Sequence, residues 1–112
     1  MSAPDVAEWL AEFMDTRGRV VTPATARLMI QNHNPDGLES RGLGFDVGRN
    51  SGSRGCSDQT FGHTGSTGTV AWADPEIRAI CVVLTALPGR AVDPHPRELA
   101  SEAVVRGLRL SQ

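Results

Sequence analysis

The sequence predicts an α+β fold in which helices flank a partial antiparallel sheet of about three to four strands. Helical periodicity occurs in two segments near the N terminus and in one at the C terminus. Between them lie short apolar segments separated by turn residues, which is the pattern of an antiparallel meander. With 112 residues and no internal repeat, the chain is expected to form a single domain.

Two helices are predicted before the sheet. Ser2 is a suitable N-cap for the first, over residues 4–16, and Gly18 ends it. Its inward-facing apolar residues are Val6, Leu10, Phe13 and Met14, with Trp9 at the border. Thr22 and Pro23 begin the second helix, which extends to residue 31 and ends at the turn-forming residues 32–37. Its predicted inward-facing residues are Ala24, Leu28 and, less strongly, Met29.

The first strand is predicted over residues 42–48. Leu43, Phe45 and Val47 alternate there with glycine or aspartate, so one face would be packed and the other nearly bare. Residues 49–60 follow as a polar loop rich in glycine and serine. We expect deletion or mobility to be tolerated best in this loop.

Three further strands are predicted over residues 61–65, 69–73 and 78–85, with a turn at residues 74–76 joining the last two. The last strand is continuously apolar, which predicts coverage on both faces and a place in the middle of the sheet. The chain offers this strand one evident partner, its hairpin neighbour. Since soluble proteins normally cover a long apolar edge, a pairing strand is expected to be missing.

The last predicted element is a helix at the C terminus. Pro94 and Pro96 introduce it, and it extends to about residue 110. Its predicted inward-facing residues are Leu99, Ala103, Val104 and Leu108.

Composition excludes several classes of function. The formal net charge is −2, from 11 basic and 13 acidic residues, and no arginine run marks a surface for nucleic acid. No apolar stretch is long enough to span a bilayer. The chain opens directly on a helical pattern without a charged leader and apolar segment, so no signal peptide is predicted and the default expectation is a cytoplasmic location.

The two cysteines and the histidines outside the sheet give little functional signal. Cys81 lies in an apolar run and is expected to be a small buried residue, whereas Cys56 lies in the polar loop. A disulfide between them stays open. His33 and His95 lie in proline-rich turns and are expected to be solvated. The spacing of these four residues is not that of a metal site.

The most informative segment is residues 61–69, which read Phe-Gly-His-Thr-Gly-Ser-Thr-Gly-Thr. Four other segments flank it in a fixed order: residues 2–7, the Gly-Leu-Gly-Phe at 42–45, the Trp-Ala-Asp-Pro-Glu at 72–76 and the Val-Val-Leu-Thr at 82–85. A His-Thr-Gly triplet alone is weak. The composite of order, spacing and flanks is specific.

This composite resembles the C-terminal third of class C β-lactamases, penicillin-binding proteins and related esterases. The resemblance covers nearly the whole chain, so residues 1–112 are interpreted as a single partial domain, the C-terminal part of a β-lactamase/transpeptidase-like fold. It implies a serine hydrolase that forms an acyl-enzyme with an ester, an amide or a β-lactam. Such chemistry needs no metal or organic cofactor.

The resemblance implies a role for each of four consecutive residues in binding substrate and the oxyanion. His63 takes the family's Lys or His position, where a cationic or donor group favours developing negative charge. Thr64 offers a hydroxyl to a substrate carboxylate or carbonyl, and Gly65 lets the backbone approach closely. The backbone N–H of Ser66 matches the donor that the motif strand gives to the oxyanion hole.

The chain departs from the family at its reacting centre. It contains no lysine and no tyrosine, so neither a Ser-x-x-Lys motif nor a tyrosine-based second motif can occur. We therefore predict no catalytic residue in this chain and no acyl-enzyme formation by the chain alone. Ser66 also replaces the usual aromatic residue after His-Thr-Gly, so the motif does not indicate a substrate preference.

Other sites weighed in the same segment have weaker support. The spacing of Gly62, Gly65 and Gly68 suggests a phosphate cradle, but no Gly-Lys-Ser/Thr ends it. Ser66 and His63 with Asp58 have the residue types of a triad, but no Gly-x-Ser-x-Gly elbow presents the serine. Cys56 as a nucleophile has no better support.

Two hypotheses follow. In the first, the chain is a serine hydrolase fragment whose nucleophile is encoded upstream, and Met1 marks a truncated frame, a misassigned start or a gene remnant. In the second, it is a non-catalytic binding module or a complementing subunit. Such a subunit would meet the missing N-terminal portion or a partner strand through an exposed sheet edge.

Overall fold

The computed structural model describes residues 1–110, in which three α-helices flank one antiparallel sheet. In chain order the elements are α1 (Ala3–Met14), α2 (Pro23–Met29), β1 (Asp46–Val47), a 3-10 turn (Arg49–Ser51), β2 (Phe61–Thr64), β3 (Val70–Asp74), β4 (Ala79–Val83) and α3 (Pro96–Leu110). The four strands lie in the order β1-β2-β3-β4. The predicted α+β class and the antiparallel meander are confirmed.

Helix α1 begins with a reciprocal capping box. The Asp5 N–H donates to the Ser2 hydroxyl at 3.3 Å, and the Ser2 N–H donates to the Asp5 carboxylate at 3.2 Å. The helix ends at Met14, two residues earlier than predicted, because the chain turns at Thr16 with a φ of 46°. Leu10 and Phe13 point into the core as the periodicity predicts.

The sheet separates two apolar clusters. On one face, Phe61 and Ala73 pack with α1 and α2. Aromatic rings continue across this face, since Phe45 contacts Phe61 at a centroid distance of 5.1 Å and Phe13 at 5.2 Å. On the other face, Trp72 packs against α3, and its indole N–H donates to the buried Ser101 hydroxyl at 3.0 Å.

Strand β4 is covered on both faces, since α1 and α3 both pack against it. Its predicted place in the middle of the sheet is wrong, because β4 is the last strand in the sheet order and pairs only with β3 in the described part of the chain. A continuous apolar run reports how many faces are covered, and it carries no information on the number of hydrogen-bonding neighbours. The missing partner expected from the sequence therefore corresponds to an open edge.

The strand predicted over residues 42–48 is shorter than expected. Only Asp46 and Val47 form β1, because Gly44 and Gly48 adopt φ values of 87° and 109°, which an extended strand does not contain. Residues 42–45 instead form a turn closed by the bond from the Gly42 N–H to the Phe45 carbonyl, at 2.8 Å. Leu43 is consequently half exposed.

The predicted inward faces of α2 and α3 are correct in part. Met29, Val104 and Leu108 are partly buried against the two apolar clusters, whereas the other predicted residues are exposed. In α2 the buried residue is Ala26, whereas Ala24 and Leu28 are exposed. In α3 the buried residues are Ser101 and Val105, whereas Leu99 and Ala103 are exposed. Apolar side chains alone set the predicted phase, whereas the bond between Ser101 and Trp72 places a polar residue at the centre of the α3 contact.

The loop over residues 49–60 is anchored, in contrast to the mobility expected of it. The Ser57 N–H and hydroxyl each donate to the buried Asp74 carboxylate at 2.6 Å. Cys56 packs into the α3-side cluster, and Thr60 is fully buried. Burial alone would raise the pKa of Asp74, but the bonds from Ser57 and from the Glu76 N–H hold this pKa below its ordinary value.

The Asp74 carboxylate is expected to make stability depend on pH. Because its pKa is lower in the folded state, its contribution is present at neutral pH and is lost as the pH falls through the folded pKa. Asp74→Asn should lower the free energy of unfolding at pH 7 by about 2 kcal/mol. The variant should also unfold with a shallower pH dependence below about pH 4.

Urea denaturation followed by tryptophan fluorescence measures both effects of the Asp74 substitution. Asp36→Asn, at an exposed aspartate, is the matched control and should leave both quantities unchanged. Equal stability of Asp74→Asn and the parent at pH 7 would contradict the assigned anchor.

Candidate functional site

The four predicted site residues lie together where the β2–β3 hairpin turns. His63 and Thr64 are the last two residues of β2, and Gly65 and Ser66 begin the turn. Side chains alternate along a strand, so His63 lies on the same side of the sheet as Phe61, the side of α1. Thr64 lies on the side of α3. Both side chains are exposed.

The backbone at this position has an open hydrogen-bonding edge. The Gly65 N–H donates to the Thr69 carbonyl across the turn at 2.9 Å, so the strand alternation points the Thr64 backbone groups to the opposite edge. Strand β1 lies on that edge, but it pairs only with Phe61 and Gly62. Among the described residues, no strand pairs with Thr64 there, and none accepts a hydrogen bond from the Ser66 N–H.

The orientation of the His63 ring is set by a backbone carbonyl. His63 Nδ1 lies 2.5 Å from the Thr64 carbonyl oxygen. Since a carbonyl only accepts, Nδ1 carries the proton and Nε2 is the nitrogen that can accept from a ligand. When the ring is protonated, Nε2 becomes a donor.

Two arginines that no sequence motif indicated also belong to this site. Arg90 and Arg97 line a cleft of about 510 Å³ together with Thr64, Gly65 and Ser66. Arg97 Nη1 donates to the Gly65 carbonyl at 3.2 Å and to the Thr69 carbonyl at 3.3 Å. Because 32 positions separate Arg97 from Gly65, no local motif could have placed the two together.

His95 is buried, which corrects the expectation that it is solvated. Its side chain is 1% exposed, and Nε2 lies 2.7 Å from the Leu87 carbonyl, so Nε2–H is the donor. Nδ1 then accepts from the Arg97 N–H at 3.1 Å. With the proton on Nε2, His95 thus links the segment after β4 to the start of α3 by one hydrogen bond at each ring nitrogen. His33, by contrast, is exposed as expected.

Gly68 permits a close approach at the far end of the turn. Its φ is 93°, and a Cβ there would overlap the Leu87 carbonyl oxygen and the Thr85 hydroxyl. Without this glycine the turn could not lie against the segment that leads to Arg97. The geometry of the site therefore requires a glycine at position 68.

The alternative nucleophilic sites are not assembled. Asp58 is held by Arg49, whose Nε donates to it at 2.9 Å and lowers the pKa of the carboxyl, while the His63 ring meets the Thr64 carbonyl instead. Both cysteines are buried thiols, and burial raises the pKa of Cys81. Within residues 1–110, no group of three or more His, Cys, Asp or Glu could hold a metal ion.

None of the helices in the described part of the chain is long and apolar enough to cross a bilayer.

Comparison with known proteins identifies a family and a similar solved structure. Residues 1–105 match the family model described as Beta-lactamase. The crystal structure of a β-lactamase from Mycobacterium bovis is similar at a TM-score of 0.75 and 26% sequence identity. That match covers 94% of this chain and 43% of the other, so this chain spans less than half the length of that relative. No curated protein matches the chain at a significant level.

The close approach at Gly68 can be tested against a glycine of equal backbone conformation. Gly37 has the same φ of 93°, with nothing near its missing side chain. Gly37→Ala should lower the free energy of unfolding by about 1 kcal/mol, because alanine adopts a positive φ less readily than glycine. Gly68→Ala should lower the free energy of unfolding by at least about 2 kcal/mol more than Gly37→Ala, because the new methyl group overlaps backbone atoms. The free energies of unfolding in urea measure both losses, and equal losses would contradict the assigned contact.

Proposed function

Because this chain belongs to the β-lactamase family, we propose that it forms one wall of a serine hydrolase active site. The full-length protein would hydrolyse an ester, an amide or a β-lactam through an acyl-enzyme. The observation that supports this proposal most strongly is that Thr64 and Ser66, which pair with no strand of the described chain on the open edge, both line one cleft. Our proposal assigns substrate and oxyanion contacts to His63, Thr64, Gly65 and Ser66.

The Ser66 N–H is the proposed oxyanion donor of this wall. It forms no bond within the described residues, so it can donate to the oxygen on which negative charge develops. The loss of one such donor lowers the rate of an acyl-transfer enzyme by about 100- to 1000-fold. His63 Nε2 and the Thr64 hydroxyl would contact substrate on opposite sides of the sheet edge.

The charge around the cleft favours an anionic substrate group. Arg90 and Arg97 both line it on the side of Thr64. A guanidinium stays protonated and only donates, so a carboxylate held by the Thr64 hydroxyl would face cationic neighbours. This supports a substrate that carries a carboxylate near the acyl group.

The attacking group of the proposed reaction lies outside this chain. Without lysine and tyrosine, the chain cannot supply the Ser-x-x-Lys and tyrosine motifs that the family resemblance implies. Among the described residues, no serine bonds the His63 ring, whose Nδ1 meets the Thr64 carbonyl. The wall can stabilise an oxyanion only where another segment supplies the nucleophile.

The purified chain is therefore expected to form no acyl-enzyme. Incubation with a fluorescent penicillin or fluorophosphonate, followed by mass spectrometry of the intact chain, should show no adduct. A known serine β-lactamase is the positive control. An adduct that disappears in Ser66→Ala would overturn the proposal and favour nucleophilic attack by Ser66.

A second candidate function, a complementing module, is favoured by the edge of β4. Both faces of this strand are covered by helices while one hydrogen-bonding edge meets no strand of the described chain. We propose as the alternative that a separately encoded strand pairs there and brings the nucleophile. The coding DNA directly upstream of Met1 separates the two functions. An in-frame Ser-x-x-Lys favours the fragment, whereas a closed frame favours the module.

The module proposal requires the backbone groups of Ile80 and Val82 to be available. The alternation across β3 points these groups away from β3, whereas Cys81 and Val83 face it. In dilute solution, the Ile80 and Val82 amides should exchange hydrogen at least about tenfold faster than the Cys81 amide. NMR-detected exchange measures this ratio. Equal protection of these amides at every dilution would show that the edge is already occupied.

A further inference from the structure

Arg97 makes the contact that joins α3 to the turn bearing Ser66. We propose that Arg97 is a positioning residue, whose guanidinium holds turn 65–69, and with it the unpaired Ser66 N–H, in one conformation. Whether that N–H serves catalysis rests on the function proposed above. The bracing of the turn by Arg97 does not.

The contacts of Arg97 close the base of the turn. Within the turn, the Gly65 N–H donates to the Thr69 carbonyl at 2.9 Å and the Gly68 N–H donates to the Gly65 carbonyl at 3.1 Å. Arg97 Nη1 donates to these same two carbonyls. Carbonyls at both ends of the turn are thus fixed to one charged group, and bonds to charged donors are stronger than neutral ones.

The position of the Arg97 guanidinium is itself determined from two sides. The Arg97 N–H donates to His95 Nδ1, which fixes the backbone at the start of α3. Gly89 lies against the guanidinium, and a Cβ there would come within 2.5 Å of Nη2 and 3.0 Å of Cζ. Because Gly89 has no side chain, the Arg97 guanidinium can occupy the place from which it contacts both carbonyls.

Ser66 depends on this arrangement because it lies between the braced carbonyls. The Ser66 N–H makes no bond of its own in the described chain, so only its neighbours set its direction. When the carbonyls of Gly65 and Thr69 lose Arg97, the two turn bonds remain but lose their common anchor. We therefore expect the turn to open more often while the strands stay intact.

Two substitutions test the bracing by different routes. Arg97→Ala removes the guanidinium, whereas Gly89→Ala keeps it and displaces it from the carbonyls. Gly89 lacks a positive φ, and its new methyl group would meet the flexible end of a side chain, so Gly89→Ala is expected to fold. Arg106→Ala, at an exposed arginine on the same helix, is the matched control.

Hydrogen exchange of the ¹⁵N-labelled chain, without substrate, provides the readout. In Arg97→Ala and Gly89→Ala, the Gly65 and Gly68 amides should exchange about tenfold faster or more, and the Ser66 amide resonance should shift. The Cys81 amide in β4 should keep its protection. Arg97→Lys retains the charge but not the forked donors of the guanidinium, so it should restore only part of the protection of the Gly65 and Gly68 amides.

The proposal is overturned if Gly65 and Gly68 keep their protection in Gly89→Ala and Arg97→Ala. It is also overturned if all sheet amides lose protection equally, which is the mark of a general loss of stability. Should Arg97→Ala fail to fold, Gly89→Ala decides by the same criteria. Since no reaction is measured, failure here would leave the hydrolase proposal standing.

Discussion

The close backbone approach between turn 65–69 and the segment after β4 is the constraint on which the site depends. Gly68 allows it, since any side chain there would overlap the Leu87 carbonyl. Once the two segments touch, His95 can bond Leu87 and the start of α3 lies beside the turn. Arg97 then reaches Gly65 from a position that is distant in sequence. One small residue thus brings the hairpin and the last helix together.

The sequence predicted the class and the element order, because these depend on local patterns. It failed where a specific polar contact decides the structure. The bond between Ser101 and Trp72 sets the face of α3, and the burial of His95 follows from a partner eight residues away. Neither leaves a periodic signal, since polar residues in turns and on helices are usually solvated. The short β1 was missed because glycine permits a strand and a turn alike.

In the described chain, apolar layers cover both faces of the sheet, whereas some strand edges have no hydrogen-bonding partner. Trp72, Phe61 and Phe13 are almost fully buried, which shows that each side of the sheet has an apolar layer of its own. The backbone of β4 and the end of β2, in contrast, still offer unpaired groups. The solved relative from Mycobacterium bovis has more than twice the matched length. A chain with closed faces and open edges keeps its fold while it leaves room for additional strands or ligands.

The opposite orientations of His63 and Thr64 restrict the shape of any molecule that meets both. A flat compound lying on one side of the sheet can contact only one of the two side chains. A molecule that contacts both side chains would instead run along the edge of the sheet as an extended peptide backbone would, with one substituent on each side of the sheet. Handedness then matters, because exchanging two substituents at a stereocentre would send each to the wrong side.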